Sequence, residues 1–243
     1  MLFRSWGYMD LWAPEVHLYK GKYYMFLSIL GKNELRGTEI SVSDTPLGPF
    51  VPLKNGPVTP ADKSCIDGTL YVENGVPYIV YSADWPDNYD EEKNCYIGSI
   101  WALQLTDDLK DGVGKPFMLF SSDEAPCSLA QPIKYNGKES SRFGSDAPFL
   151  MKLSNKTLFL TWSPYPIDHY IVAGAISESG SIKGPWKHYD TPLFDRNGGH
   201  AMFFDDSEGK KKMCIHCPER PPFERALILD VKEENGIIKV VDN

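Results

Sequence analysis

The sequence predicts an all-β protein, and three observations carry that expectation. Aromatic residues make up 13 % of the 243 residues, with 20 glycines and 19 prolines. Short apolar runs broken by Gly, Pro, Asn and Asp recur from end to end, the pattern of many short strands joined by turns. One segment design recurs four times along the chain, the mark of a repeat architecture. No stretch sustains a 3.6-residue apolar period over three turns, and Ser121 to Ala130 is the best candidate for a turn of helix.

The repeated design is a small or acidic residue, a short apolar strand, a polar turn, and a second apolar strand ending in Ser or Pro. It spans Ala13–Ser28, Asp67–Ser82, Asp146–Ser163 and His200–Pro218, with starts 54, 79 and 54 residues apart. The long middle interval holds two polar inserts, around Pro86–Lys93 and Ser121–Phe143. Third and fourth strands follow. Thr38–Ser43 leads to Leu47–Phe50, and Ile171–Ser177 leads to Ile182–Trp186, each pair sharing a Gly-Pro-aromatic signature. Cys95–Leu105 and Ala226–Val231 fill the same slot in the second and fourth repeats. Four strands per repeat at this period is the arithmetic of a β-propeller blade. The blades run approximately 12–60, 65–120, 144–190 and 198–240, within one domain over residues 1–243.

Composition narrows the function classes. The formal charge is −8, and no basic stripe exists to neutralise a phosphate backbone, so no nucleic-acid partner is expected. No run approaches the roughly 18 apolar residues of a membrane span. Residues 1–10 carry no apolar core of signal-peptide length, which reads as cytoplasmic as the chain stands and as secreted if the true start lies upstream. Five scattered cysteines argue against a disulfide framework. Cys214 and Cys217 form one Cys-x-x-Cys pair without a second, so they read as part of a strand rather than as a zinc knuckle.

Propeller geometry turns the repeat into a site. The innermost strand of each blade lines the central channel, so the repeat starts Ala13, Asp67, Asp146 and His200 converge at one end of it. Two carboxylates close together suit glycosidic cleavage, where one stays protonated and the other ionised. Acids at strand starts also serve as turn formers that bond nearby backbone N–H groups. Trp12, Trp85, Trp162 and Tyr165 would cluster at the same end, where flat rings stack on sugar faces or pack as core. Glu15 shares the side of Ala13 by strand alternation, in reach of a sugar hydroxyl or as part of the wall. His216 ends a strand away from this rim.

Four motifs, Trp12-Ala-Pro-Glu-Val-His17, Ile66-Asp-Gly-Thr-Leu-Tyr-Val72, Ser145-Asp-Ala-Pro-Phe-Leu150 and Gly198-Gly-His-Ala-Met-Phe203, resemble the blade motifs of glycoside hydrolase family 43, in that family's order and over essentially the whole chain. The resemblance implies a five-bladed propeller that cleaves arabinose-, xylose- or galactose-containing oligo- or polysaccharides with inversion. It implies three acids: a base Asp in the first blade, a tuning Asp in the third and a proton-donating Glu in the fourth. Asp67 matches the tuning Asp. Asp146 falls at the donor position, one methylene shorter than the family's Glu and similar to a branch carrying Asp there. Asp84 and Glu124, on loops, are the alternative donors. His200 matches a His that sits near a central calcium in the family, so a calcium is possible and no other cofactor is implied. Arg225 resembles a last-blade Arg that binds a substrate hydroxyl, or forms a surface ion pair with Glu224.

The family's first blade has no counterpart here, because only residues 1–11 precede the second-blade motif. The expectation is therefore four recognisable blades, an incomplete hydrolase or a non-catalytic glycan-binding propeller, and an exposed blade face. That face would include Val16, Leu18, Tyr24 and Phe26 or their neighbours, and would favour self-association.

Overall fold

Each repeated segment folds into a hairpin because two apolar runs flank a short polar turn, and each hairpin extends into an antiparallel sheet. The computed structural model describes residues 6–234 and 236–241. The first blade comprises β1 (Gly7–Tyr19), β2 (Lys22–Gly31), β3 (Arg36–Ser43) and β4 (Val51–Pro52) in that spatial order. The second has β5 (Cys65–Glu73) innermost, then β6 (Val76–Ala83), β9 (Ser99–Leu105) and β10 (Gly112–Ser121). The third contains β13 (Asp146–Lys152), β14 (Leu158–Ser163), β15 (Ala173–Ser177) and β16 (Trp186–His188). The fourth contains β17 (Gly199–Asp205), β18 (Lys211–Cys217), β19 (Arg225–Glu234) and β20 (Ile237–Val240). The four-blade expectation and its four-strand content stand.

The two polar inserts do not remain loops. With β8 (Cys95–Ile97) they build a further four-stranded sheet, the inserts supplying β7 (Tyr89–Asp90), β11 (Gln131–Tyr135) and β12 (Lys138–Phe143). Here β12 pairs with β8 in parallel, so this sheet differs from the antiparallel blades. Sequence reading treated Cys95–Leu105 as one strand, whereas the chain leaves the small sheet at Ile97 and enters the second blade at Ser99. Gly98 marks the crossing, since a Cβ there would lie 2.4 Å from Ser145 Oγ. The Gly-Pro pairs are turns preceding the short outer strands, with Phe50 just before β4 and Trp186 opening β16. The helix candidate reduces to one 3₁₀ turn, Ser122–Glu124, closed by a capping box between Ser121 and Glu124.

The core divides into one cluster per blade junction. Tyr24, Phe26 and Ile40 meet Leu70, Ile79 and Tyr81 between the first and second blades. Val80, Ile100 and Phe120 meet Leu160 and Trp162 between the second and third. Phe159 and Val172 meet Met213 and Ile215 between the third and fourth. Burial of both faces explains why β14 is buried at every position and reads as an unbroken apolar run. Among the described residues no comparable packing joins the fourth blade to the first. β1 alternates instead, with Glu15 and Tyr19 buried and Val16 and Leu18 exposed. The expectation for the open face is thus corrected in part. Tyr24 and Phe26 lie opposite His17 and Glu15 in the hairpin register and point into the core, where they are 8 % and 1 % exposed.

Among the described residues no helix is long and apolar enough to cross a membrane. All five cysteines are free, and Cys214 and Cys217 lie on β18, as the strand reading required.

Candidate active site

Each innermost strand carries a β-bulge near its start, and the bulges place the site. Register shifts occur at Trp12/Glu15, Ile66/Thr69, Asp146/Phe149 and Gly199/Met202. At each bulge one non-glycine residue adopts a left-handed backbone: Ala13 (φ 45°), Asp67 (φ 54°), Ala147 (φ 53°) and His200 (φ 57°). Bulges bend a strand and re-aim its side chains, and a left-handed non-glycine residue persists only where neighbours hold it. The equivalent of Asp67 in the third blade is therefore Ala147, not Asp146. The sequence repeat was offset by one residue there, and Asp146 corresponds to Trp12, Ile66 and Gly199.

Serine hydroxyls at the ends of the second strands hold these bulges across the junctions. Ser28 Oγ accepts from Asp67 N–H at 2.8 Å and Ser163 Oγ from His200 N–H at 2.9 Å. Ser82 Oγ donates to Ser145 O. The register position of Ser28, Ser82 and Ser163 is taken in the fourth blade by His216, opposite Gly199.

The bulges open onto a cleft of about 880 Å³. Its lining includes Trp12, Asp67, Asp84, Trp85, Asp146, Tyr165, Tyr170, His200 and His216. Asp67 Oδ2 accepts a hydrogen bond from Ala147 N–H at 3.0 Å and lies 4.0 Å from His200 Nδ1. Asp146 Oδ2 accepts from the Tyr170 hydroxyl at 3.3 Å. Burial, followed by the charges of Asp67 and Asp84, pushes the Asp146 carboxyl well above the ordinary carboxylate range. The Tyr170 hydrogen bond and the Arg142 guanidinium oppose that rise. Asp84 is buried and caps the 3₁₀ turn Trp85–Asp87 by accepting from Trp85 N–H. Burial pushes its carboxyl up to about 6, against the pull of that backbone bond and of Arg36.

The small sheet supplies an aromatic wall. Trp85 packs edge-on against Tyr96 and Tyr135. Arg142, on β12, lies 4.6 Å from the Trp85 ring and 5.8 Å from that of Tyr165, a spacing that supports cation–π attraction. On the first blade, Arg36 lies 4.4 Å from the Trp12 ring and pairs with Asp10 at 2.7 Å.

Of the residues singled out from sequence, Asp67, Asp84, Asp146, Trp12, Glu15, Trp85 and His200 all line the cleft. Glu15 is committed elsewhere: it accepts from Thr69 Oγ1 at 2.6 Å and pairs with His17, tying the first blade to the second. Three residues are corrected. Trp162 is fully buried against Phe120 and His188, because its strand is covered on both faces. Glu124 caps its own turn through Ser121 N–H at 3.0 Å and does not line the cleft. Arg225 turns its guanidinium onto the carbonyls of Pro222 and Glu224, and Glu224 is the member of that pair that lines the cleft. His216 is also relocated. It belongs to the cleft, stacked 5.5 Å from the Tyr170 ring at 18°.

A calcium near His200 would take most of its oxygen ligands from water or backbone carbonyls rather than from side chains. Calcium takes about six to eight oxygen ligands. His200 offers nitrogen, its nearby carboxylate is already bonded to Ala147, and among the described residues no group of three His, Cys, Asp or Glu side chains is spaced to hold a metal. Tyr170, Arg142 and Arg36 escaped sequence reading because they sit on a loop or at strand positions without periodic signal. The Gly198-Gly199 pair was the available clue, since adjacent glycines imply close approach of something bulky.

The family model described as Glycosyl hydrolases family 43 matches residues 3–233. The endo-arabinase from Bacteroides thetaiotaomicron superposes with a TM-score of 0.86 at 34 % identity, covering 97 % of this chain and 80 % of that one. A β-xylosidase/α-arabinofuranosidase from a compost microbial metagenome, solved with xylotriose in a calcium-free form, shares the fold with a TM-score of 0.70 at 18 % identity, over 97 % of this chain and 74 % of its own. An α-L-arabinofuranosidase of Humicola insolens is 23 % identical over 227 residues, which is 86 % of this chain and 43 % of that protein. The chain spans between a quarter and a half of the length of the curated relatives it matches.

Proposed function

The chain belongs to glycosyl hydrolase family 43, and on that premise we propose that its cleft binds arabinose-, xylose- or galactose-containing glycans for inverting cleavage, as a single propeller domain. Asp146 is the proton donor and Asp67 the acid that tunes it. The observation that carries this reading is the pairing of the two. Asp67 is bonded to the amide that follows Asp146, and its charge helps raise the Asp146 carboxyl well above the ordinary carboxylate range, toward the protonated state a general acid needs. In the reaction, Asp146 gives its proton to the glycosidic oxygen as the bond to the anomeric carbon breaks. Water adds to that carbon from the opposite face and passes its proton to a base. Trp12, Trp85 and Tyr165 offer flat apolar faces for sugar rings.

The base would have to be another acid lining the cleft, among Glu15, Asp84, Glu219 and Glu224, and of these Asp84 is bonded to Trp85 N–H and Glu219 to His216. Glu15, the acid on the first-blade wall, is held by Thr69 and His17. This favours a second reading, a propeller that binds glycan without cleaving it. Turnover of aryl arabinofuranosides and xylosides, and of arabinan, by the parent chain and by Asp146→Asn separates the two. Hydrolysis abolished in Asp146→Asn supports the enzyme. A glycan-induced rise in melting temperature without turnover supports the binder, and neither response overturns both.

A further inference from the structure

We propose that Tyr170 is a positioning residue for Asp146, and that residue 199 is glycine in order to seat it. The role assigned to Tyr170 rests on Asp146 being the reacting acid.

Tyr170 lies between β14 and β15, outside any strand, so its placement needs causes of its own. Its backbone is tied at both ends: Tyr170 N–H donates to Asn197 Oδ1 at 3.1 Å, and Gly198 N–H donates to the Tyr170 carbonyl at 3.0 Å. Its ring is stacked 5.5 Å from His216 and lies tilted 5.6 Å from Tyr165. A third side presses on the fourth blade. A Cβ at residue 199 would lie 2.3 Å from Tyr170 Cε1 and 2.4 Å from Cδ1, distances that real Cβ atoms do not tolerate without a shift of the ring. A buried ring confined on three sides fixes where its hydroxyl sits, beside Ser163 and within 3.3 Å of Asp146 Oδ2, to which it donates.

The consequence is orientational and electrostatic. Holding Oδ2 leaves Oδ1 as the oxygen that carries the transferable proton, which matters for a carboxyl on a side chain as short as aspartate. Burial and the charges of Asp146 and Asp67 keep the phenol far above its ordinary pKa, so it remains a donor throughout the working range. A donated hydrogen bond favours the ionised carboxylate. Tyr170 therefore limits the rise imposed by burial, Asp67 and Asp84, alongside Arg142 from the small sheet, and places Asp146 between a locked acid and an ordinary one. His200 faces Asp67 rather than Asp146 in this cluster.

The test is a carbon-13 carboxyl titration of the purified chain, with the Asp146 signal assigned by its loss in Asp146→Asn. In Tyr170→Phe, Asp146 should titrate at higher pH than in the parent. Gly199→Ala should move it the same way with the phenol still present, because the added methyl displaces the ring. An unchanged Asp146 titration in a folded Tyr170→Phe overturns the proposal. If the chain hydrolyses an aryl glycoside, the descending limb of kcat/KM against pH should follow the titration upward, with kcat falling about 10- to 100-fold and KM changing less. A shifted titration in a chain that hydrolyses nothing supports the Tyr170 contact and counts against the hydrolase reading alone.

Discussion

Asp67 and Ala147 are joined across a blade junction, the Asp67 carboxylate accepting the Ala147 amide at 3.0 Å. Both residues occupy the left-handed bulge position of their strands, so one blade's bulge holds the next. The same bond fixes a carboxylate beside the residue that precedes Ala147, which is Asp146. Architecture and chemistry thus depend on one side chain.

Asp67→Ala and Asp67→Asn should separate these two roles. Alanine leaves the Ala147 amide unpaired in a buried setting, at a cost of about 1–3 kcal/mol. Asparagine keeps an oxygen acceptor and should cost less. Both remove the charge that raises Asp146, so Asp146 should titrate lower in each. Urea unfolding reads the first effect and carboxyl titration the second. Equal destabilisation by the two variants would show that the hydrogen bond contributes nothing to the junction.

Asp84 sets a pH dependence of stability. Its carboxyl is raised to about 6 by burial, whereas in the unfolded chain it ionises near 3.8. The folded state therefore holds the proton longer, and its advantage is complete below about pH 4 and lost as pH rises through about 6. Above that point the buried charge costs on the order of 2–3 kcal/mol. Asp84→Asn retains an acceptor for Trp85 N–H and should stabilise the protein at pH 7.5 while leaving stability at pH 4 little changed. Melting temperatures at the two pH values check this.

His188 has the opposite sign. It lies 4.6 Å edge-on from Phe120, and neither ring nitrogen has a hydrogen-bond partner. Burial lowers its pKa from the ordinary 6.5. The unfolded chain binds this proton first, so stability is complete above about pH 6.5 and falls as pH drops toward the folded value. His188→Phe keeps an aromatic ring against Phe120 and Trp162 and removes the titration. Its melting temperature should fall less than the parent's between pH 7 and pH 5.5, and an identical decline in both proteins would place the acid sensitivity elsewhere.

Asp67, Asp146 and His200 were legible in the sequence because a repeat aligns chain positions that the fold brings together, and repetition survives divergence of individual side chains. The one-residue offset at Asp146 was not legible, since a bulge changes register without changing composition. Trp162 was misplaced because a tryptophan near a strand end reads the same whether its strand is covered on one face or both. The small sheet was missed because its strands are short and polar, and β12 with β8 pairs residues 46 apart in parallel, which no local pattern announces. Tyr170 reaches the site through a loop, and only Gly199, which it presses against, betrays it.

The lack of a packed junction between the fourth and first blades, among the described residues, predicts self-association. On the first blade, Val16 and Leu18 are 40 % and 66 % exposed, and on the fourth, Ile228 is 58 % exposed. These residues occupy the same kind of surface that carries a core cluster at every other junction. Each 100 Å² of apolar area removed from water contributes about 2.5 kcal/mol, so a second copy seated against these faces gains from covering them. Sedimentation velocity from micromolar to submillimolar concentration should show a concentration-dependent dimer or larger species. Leu18→Lys combined with Ile228→Lys should return it to the monomer, because a lysine at each position resists desolvation, and the exposed sites leave the fold intact. A parent chain that sediments as a monomer throughout that range would mean that the two faces do not drive association, and that their apolar character has another cause.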